Sequence, residues 1–222
     1  APAILSDTRN PLREAPEQTL RKAARQFVVS RRPPKGKSGW SIIAGFPWFG
    51  DWGRDAFIAL PGLLLDTGRY EEAREVLRIF ASAQADGMIP NCFDDYGGEP
   101  AYNSVDASLW FIVAADEYLR DTGDEESWKR FLAKAWRNVL DAYATGTRFD
   151  IHADPADGLL WAGSAQTQLT WMDARCGDVT FTPRWGKAVE VNALWYCALR
   201  AAAERFAVGP QRKLANQYRQ LA

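Results

Sequence analysis

Histidine is nearly absent. His152 stands alone in 222 residues, so a His-rich metal site is excluded and any His-based triad would rest on that one ring. Cysteine is scarce as well: Cys92, Cys176 and Cys197 have no CxxC spacing, which removes zinc-ribbon and dithiol redox chemistry. Three scattered cysteines point to a reducing compartment, and we expect a cytoplasmic protein. There is no run of about 18 apolar residues and no charged-then-apolar leader, so neither a membrane span nor a targeting segment is expected. An excess of positive charge is also missing: 27 basic residues face 28 acidic ones, too even a balance to hold phosphates, which argues against nucleic acid as a partner.

What is present is a globular chain, 47% hydrophobic and 25% charged, long enough to bury a core without disulfides or metals. No cofactor or metal is expected. Its ten Trp, seven Tyr and eleven Phe exceed what a core of this size requires, and flat rings are therefore available to a ligand.

Hydrophobic spacing makes the chain a series of helices of two kinds. Trp128, Phe131, Leu132, Ala135, Trp136, Val139, Leu140 and Tyr143 recur in steps of three and four with charged residues between, which predicts an amphipathic helix. The same spacing holds for Leu20, Ala23, Ala24, Phe27 and Val28, and for Ala73, Val76, Leu77, Phe80 and Ala81. Between them lie Ala56 to Leu65, Val105 to Ala115 and Val189 to Ala203, apolar nearly all round, and such helices must be enclosed by protein. Pro61 should kink or restart the first of these.

The connectors alternate too. Short ones around Gly68, Gly123 and Gly209 end the apolar helices, where a residue must turn into the left-handed region. Long ones, residues 31–53, 85–103 and 146–188, hold most of the Gly, Pro, Trp, Asp and Asn and lead into the apolar helices. Long loops in a compact domain are commonly functional, and these should converge on one face. An inner set of buried helices wrapped by amphipathic ones is an all-α, α/α toroid of the (α/α)6 kind. With three inner helices of six, residues 1–222 read as one domain covering about half of it. An open helical solenoid is the plainer alternative.

The loops carry the candidate chemistry. Loop one, AGFPWFGDWGRDAF, places Trp48, Asp51, Trp52, Arg54 and Asp55 within eight residues. Charged groups beside rings suit a sugar, whose hydroxyls take hydrogen bonds while its C–H faces lie on aromatics; a salt-bridge cluster capping the next helix is the competing reading. Loop two ends with Tyr102, Asn103 and Asp106, where Asn103 or Ser104 can equally serve as helix caps. In loop three Asp173 follows Trp171 and Met172, and an apolar setting raises a carboxyl pKa toward that of a general acid. Arg184, Lys187, Glu190 and Asn192 open the third buried helix and can reach a substrate, or Glu190 can simply pair with Arg184 or Lys187.

As an ordered set, PWFGDWGRD, MIPNCFDD, PAYNSVDASLWF, LTWMDA and TPRWGKAVEVNALWY, between about Trp40 and Tyr196, closely resemble the catalytic domain of glycogen debranching enzymes, the amylo-1,6-glucosidase part. The resemblance implies an (α/α)6 toroid that hydrolyses the single α-1,6-linked glucose at a branch stub of glycogen or a related α-glucan, with inversion. It makes Asp173 the general acid, sets Arg54 and Asp55 on the terminal glucose, and makes Trp48, Trp52 and Trp171 walls of its pocket. Two departures from the family follow. Nothing before Ala15 resembles the N-terminal β-rich domain of many members, and the glutamate expected as catalytic base lies beyond Ala222. An inverting enzyme needs its second carboxylate roughly 6.5 to 9.5 Å from the acid, so the chain by itself is expected to show little turnover. Two other readings stay open: a noncatalytic half-toroid that binds glucan or pairs with a ring-completing partner or a second copy, and another inverting α-glucosidase of the same architecture.

Overall fold

The computed structural model describes residues 15–32, 37–95, 98–208 and 211–222. Helix α1 (Pro16–Gln26) is followed by strands β1 (Val28–Arg31) and β2 (Gly39–Ile42), which pair antiparallel with Val28 opposite Ile42 and Arg31 opposite Gly39. Then come α2 (Gly53–Leu60), α3 (Tyr70–Ser82), α4 (Asp106–Thr122), α5 (Glu125–Ser127) and α6 (Ala133–Thr145). Loop three contains two small antiparallel pairs, β3 (His152–Ala153) with β4 (Leu160–Trp161) and β5 (Arg175–Cys176) with β6 (Val179–Thr180). Helices α7 (Val189–Ala207) and α8 (Arg212–Leu221) follow.

The fold is mostly helical, and the all-α expectation needs correction by these strand pairs. The helical period read through Val28 stops at Gln26. Val28 and Val29 are β-branched and suit a pleated strand better than a helix, and β2 supplies their partners. A second correction concerns α1, none of whose residues is buried and whose Leu20 is 70% exposed.

The apolar helices pack on one another and two of the charged ones pack against them. Helix α2 packs on α4 and α4 on α7, while α3 packs on α4 and α8 on α7. Phe57 of α2 meets Phe80 of α3 and Phe111 of α4 edge to face, at 4.8 and 5.4 Å between centroids. At the other end Trp128 lies against Trp136 and Phe206, and Phe206 against Tyr218. The inner helices are not enclosed on every side, however: Ile58, Val189 and Tyr196 are exposed, so each of α2 and α7 keeps one open stripe.

Pro61 bends the ladder without stopping it. Lacking an N–H, it cannot make its i−4 bond, and residues Pro61–Leu65 continue as a π-helical stretch in which Asp66 N–H bonds Pro61 O at 2.9 Å. A second π-helical stretch, Trp128–Leu132, joins α5 to α6 inside the segment read as one amphipathic helix. Gly123 ends α4 at φ 64° and Gly68 turns at φ 73°, both in the left-handed region. The connector at Gly209 lies outside the described residues.

Candidate active site

The long loops meet where α2 and α4 begin. Arg54, in the first turn of α2, reaches Asp106, in the first turn of α4, through Nε–Oδ2 and Nη2–Oδ1 bonds of 2.7 and 2.8 Å. Such a fork is the strongest geometry available to an arginine and a carboxylate. Asp106 also profits from the positive end of its own helix. Ser104, fully buried, completes the unit: its hydroxyl donates to Asp106 Oδ1 and accepts from the Ala107 N–H and from Arg54 Nη2. The capping reading is thus met by Ser104, while Asn103 is exposed.

The third guanidinium nitrogen, Arg54 Nη1, lies 3.9 Å from Asp173 Oδ2. Loop three is brought to this point by the Val105 N–H, which donates to Leu169 O at 2.9 Å. Arg54, Asp106 and Asp173, from three separate segments, therefore share one mouth. The burial expected of Asp173 is not found. Its side chain is 46% exposed and the neighbouring Trp171 is 56% exposed, because both fan outward from the loop instead of folding under it.

Asp55 sits beside the fork, over an apolar concavity of about 480 Å³ whose walls include Phe27, Ile43, Ile58 and Leu63. Desolvation there pushes its carboxyl above the usual range, and the like charges of Asp106 and Asp173 add to this against the pull of Arg54. Trp48, 79% exposed, and Trp52, half-buried, come from the same loop.

Several residues expected to reach substrate have partners within the protein. Asp51 is fully buried. It accepts from Arg31, with Nε–Oδ2 at 2.8 Å, and from Ser41 Oγ at 2.6 Å, so it ties loop one to the β1–β2 hairpin. Burial pushes the Asp51 carboxyl up while Ser41 and Arg31 pull against it. The Tyr102 hydroxyl donates to Ala83 O at 2.7 Å and its ring is covered by Arg148. Arg184 pairs with Glu190, the plainer of the two readings. Lys187 bridges Asp154 and Asp157 at 2.6 and 2.7 Å. Asn192 is held by the backbone of Leu160 and Ala188. In each case a local polar partner satisfies the group before a ligand arrives.

Sequence reasoning passed over other exposed groups in the long loops. Phe46, Phe49, Phe181 and Trp185 are all exposed, and Trp185 leans on Trp161 at 5.9 Å. The signal was there in rings that follow no helical or strand period. Arg31 had no such signal, since a lone arginine shows its partner only in three dimensions.

Comparison with known proteins gives the family and a likeness of fold. Residues 22–222 match the amylo-alpha-1,6-glucosidase family. The glycogen debranching enzyme of Saccharomyces cerevisiae is 31% identical over 227 aligned positions, covering 76% of this chain, and the chain spans 15% of that protein's length. Among solved structures, a metal-independent alpha mannosidase of Streptococcus pneumoniae superposes with a TM-score of 0.65 at 13% identity, over 92% of this chain and 55% of that one, a likeness of fold. By sequence across nine-tenths of its length, the chain belongs to the amylo-alpha-1,6-glucosidase family.

Proposed function

We infer that the chain is the binding and acid-bearing part of an inverting glucosidase that removes the α-1,6-linked glucose at branch points of glycogen or a related α-glucan. One observation supports this reading: Asp173, the aspartate of the TWMDA motif, stands 3.9 Å from an arginine already locked to Asp106, so a carboxyl group and a rigid polar clamp share one opening. In this reading Arg54, Asp55, Asp106 and Asn103 hold the hydroxyls of the terminal glucose. Trp48, Trp52 and Trp171 take its C–H faces, and Asp173 passes its proton to the glycosidic oxygen as the bond to the anomeric carbon breaks. Water attacks that carbon from the opposite side, with a carboxylate outside residues 1–222 taking its proton. The arc of α2, α4 and α7 is in this proposal part of an (α/α)6 toroid, and the half-toroid that binds without turnover remains the second reading, favoured by the open stripes on α2 and α7. The three unpaired cysteines support a reducing, cytoplasmic setting. No described helix is long and apolar enough to cross a membrane.

The test is Asp173→Asn in the longest polypeptide that carries this sequence, assayed by glucose release from an α-1,6-branched maltooligosaccharide. Loss of a general acid lowers kcat by roughly 10² to 10⁴. Undiminished turnover would remove Asp173 from the chemistry. An anomer-resolved product analysis on α-1,6, α-1,4 and α,α-1,1 substrates separates the alternatives within the architecture.

A further inference from the structure

Of the five ordered motifs, MIPNCFDD contributes no side chain to the mouth, yet its backbone is built into the walls. The Ile89 N–H donates to Ser108 Oγ of α4 at 2.9 Å, two residues past Asp106. The Gly53 N–H, one residue before Arg54, donates to Asn91 O at 2.7 Å, and the Asn91 N–H donates to Ala101 O at the same distance. Cys92 then pairs with Trp52 in an antiparallel bridge. Residues 89–92 are therefore wedged between the first turns of α2 and α4, the two turns that the Arg54–Asp106 fork joins. The fit is close enough to need a glycine: a Cβ on Gly53 would stand 2.4 Å from Pro90 O.

Both backbone groups of Asn91 are paired and the residue is only 1% exposed, but its side-chain Oδ1 is buried with no hydrogen-bond partner. Such an acceptor is destabilising, because it has given up water and gained nothing in return, and nearly all buried polar atoms avoid that state. Two other buried side-chain atoms among the described residues share it, Arg69 Nη1 at the start of α3 and Trp136 Nε1 in α6. Both of those side chains are otherwise engaged: Arg69 bonds Glu72 through Nε and Nη2, and the Trp136 ring packs edge-on against Trp128. Asn91 is the one of the three that is bonded to the turn carrying Arg54. A carboxamide has an acceptor and a donor on one flat end, and rotation about its last torsion presents either. A sugar hydroxyl answers to both, since it donates as well as accepts.

We propose that Asn91 is a further substrate-binding residue of this site, whose carboxamide pairs with one hydroxyl of the terminal glucose against the first turn of α2. This rests on the glucan reading given above and deepens it with a specificity. A site that holds an unpaired buried acceptor discriminates strongly against a sugar lacking the matching hydroxyl, because the acceptor then stays unpaired.

Isothermal titration of the longest polypeptide that carries this sequence tests it. The probes are a hydrolysis-resistant, sulfur-linked methyl isomaltoside and the forms of it that lack, one at a time, each free hydroxyl of the non-reducing glucose. One of these deoxy forms is expected to bind the unsubstituted protein at least roughly tenfold more weakly than the complete sugar, the order of one lost hydrogen bond. Asn91→Leu keeps the branched skeleton of the side chain and removes its polar atoms. It should weaken the complete sugar by about the same factor, and loss of that one hydroxyl should then cost nothing further, the coupling expected of two groups in direct contact. Circular dichroism checks the fold; if Asn91→Leu does not fold, Asn91→Ala, which asks for less space, gives the same comparison. A lower melting temperature with the ratio of complete to deoxy sugar unchanged would assign Asn91 to the fold alone and overturn the proposal. Unchanged affinity for the complete sugar overturns it as well, and in both cases the glucan reading stands. No binding of the complete sugar to the unsubstituted protein overturns both.

Discussion

Arg54 and Asp106 form a two-pronged ion pair between the first turns of two neighbouring helices, with side chains only 12% and 3% exposed. A pair so enclosed is costly to break from one side, because the remaining charge keeps its desolvation and loses its partner. Asp106→Asn preserves shape and removes the charge. It is expected to lower stability by about 3 kcal/mol or more, read as a lower urea midpoint at unchanged slope. An unchanged midpoint would show that the fork contributes nothing to the fold.

Asp51 carries a different prediction, since its partners belong to the hairpin. Asp51→Asn leaves Arg31 with Asp95 alone, and the fastening of the aromatic loop is weakened. Amide hydrogen exchange should accelerate in a peptide spanning residues 43–53, with residues 133–145 of α6 unaffected. Equal rates in both peptides would mean that the loop is held by its own turns.

Asp55 gives a pH dependence with a definite sign. Its folded carboxyl is raised, first by desolvation, so the native state binds the proton more tightly than the unfolded chain. Stability from this group is full below the unfolded value of about 3.9 and declines as pH rises through the folded value. Asp55→Asn removes the decline. Thermal melts should show the variant gaining on the unsubstituted chain at pH 7 and not at pH 3. Because Asp55 is exposed, the gain will be small. A variant that loses ground at pH 7 would contradict the raised value.

Two glycines with the same left-handed backbone should respond differently to alanine. Gly68, at φ 73°, has nothing within 4 Å of a new Cβ, whereas at Gly87, at φ 76°, that carbon would meet Ala142 Cβ at 2.1 Å and Asn138 O at 2.6 Å. Gly68→Ala should cost about 1 kcal/mol, the left-handed penalty alone. Gly87→Ala adds an overlap with helix α6 and should cost about 2 kcal/mol more. Equal losses on denaturant unfolding would show that α6 shifts to make room.

The helices were legible because their signal is local. A stripe such as Leu132, Ala135, Trp136, Val139, Leu140 and Tyr143 announces its buried face whatever it packs against, and every member of it is buried. The glycine stop after α4 was equally plain. The first strand was not, because Phe27 and Val28 extend a helical period by chance and only pairing with residues 39–42 decides against it.

Ordered motifs identified the family, and the loop composition alone marked loops one to three as the candidates for chemistry. Which polar residues remain free for a ligand was beyond the sequence. Asp51 and Asp106 are both acidic, both near arginines and both buried, yet one fastens a hairpin and the other clamps the residue that faces Asp173. Side-chain type and periodicity are properties of the chain and can be read along it. The partner that satisfies a charge, and whether a ring lies under protein or beside water, depend on segments tens of residues apart, and only the packed structure brings those together.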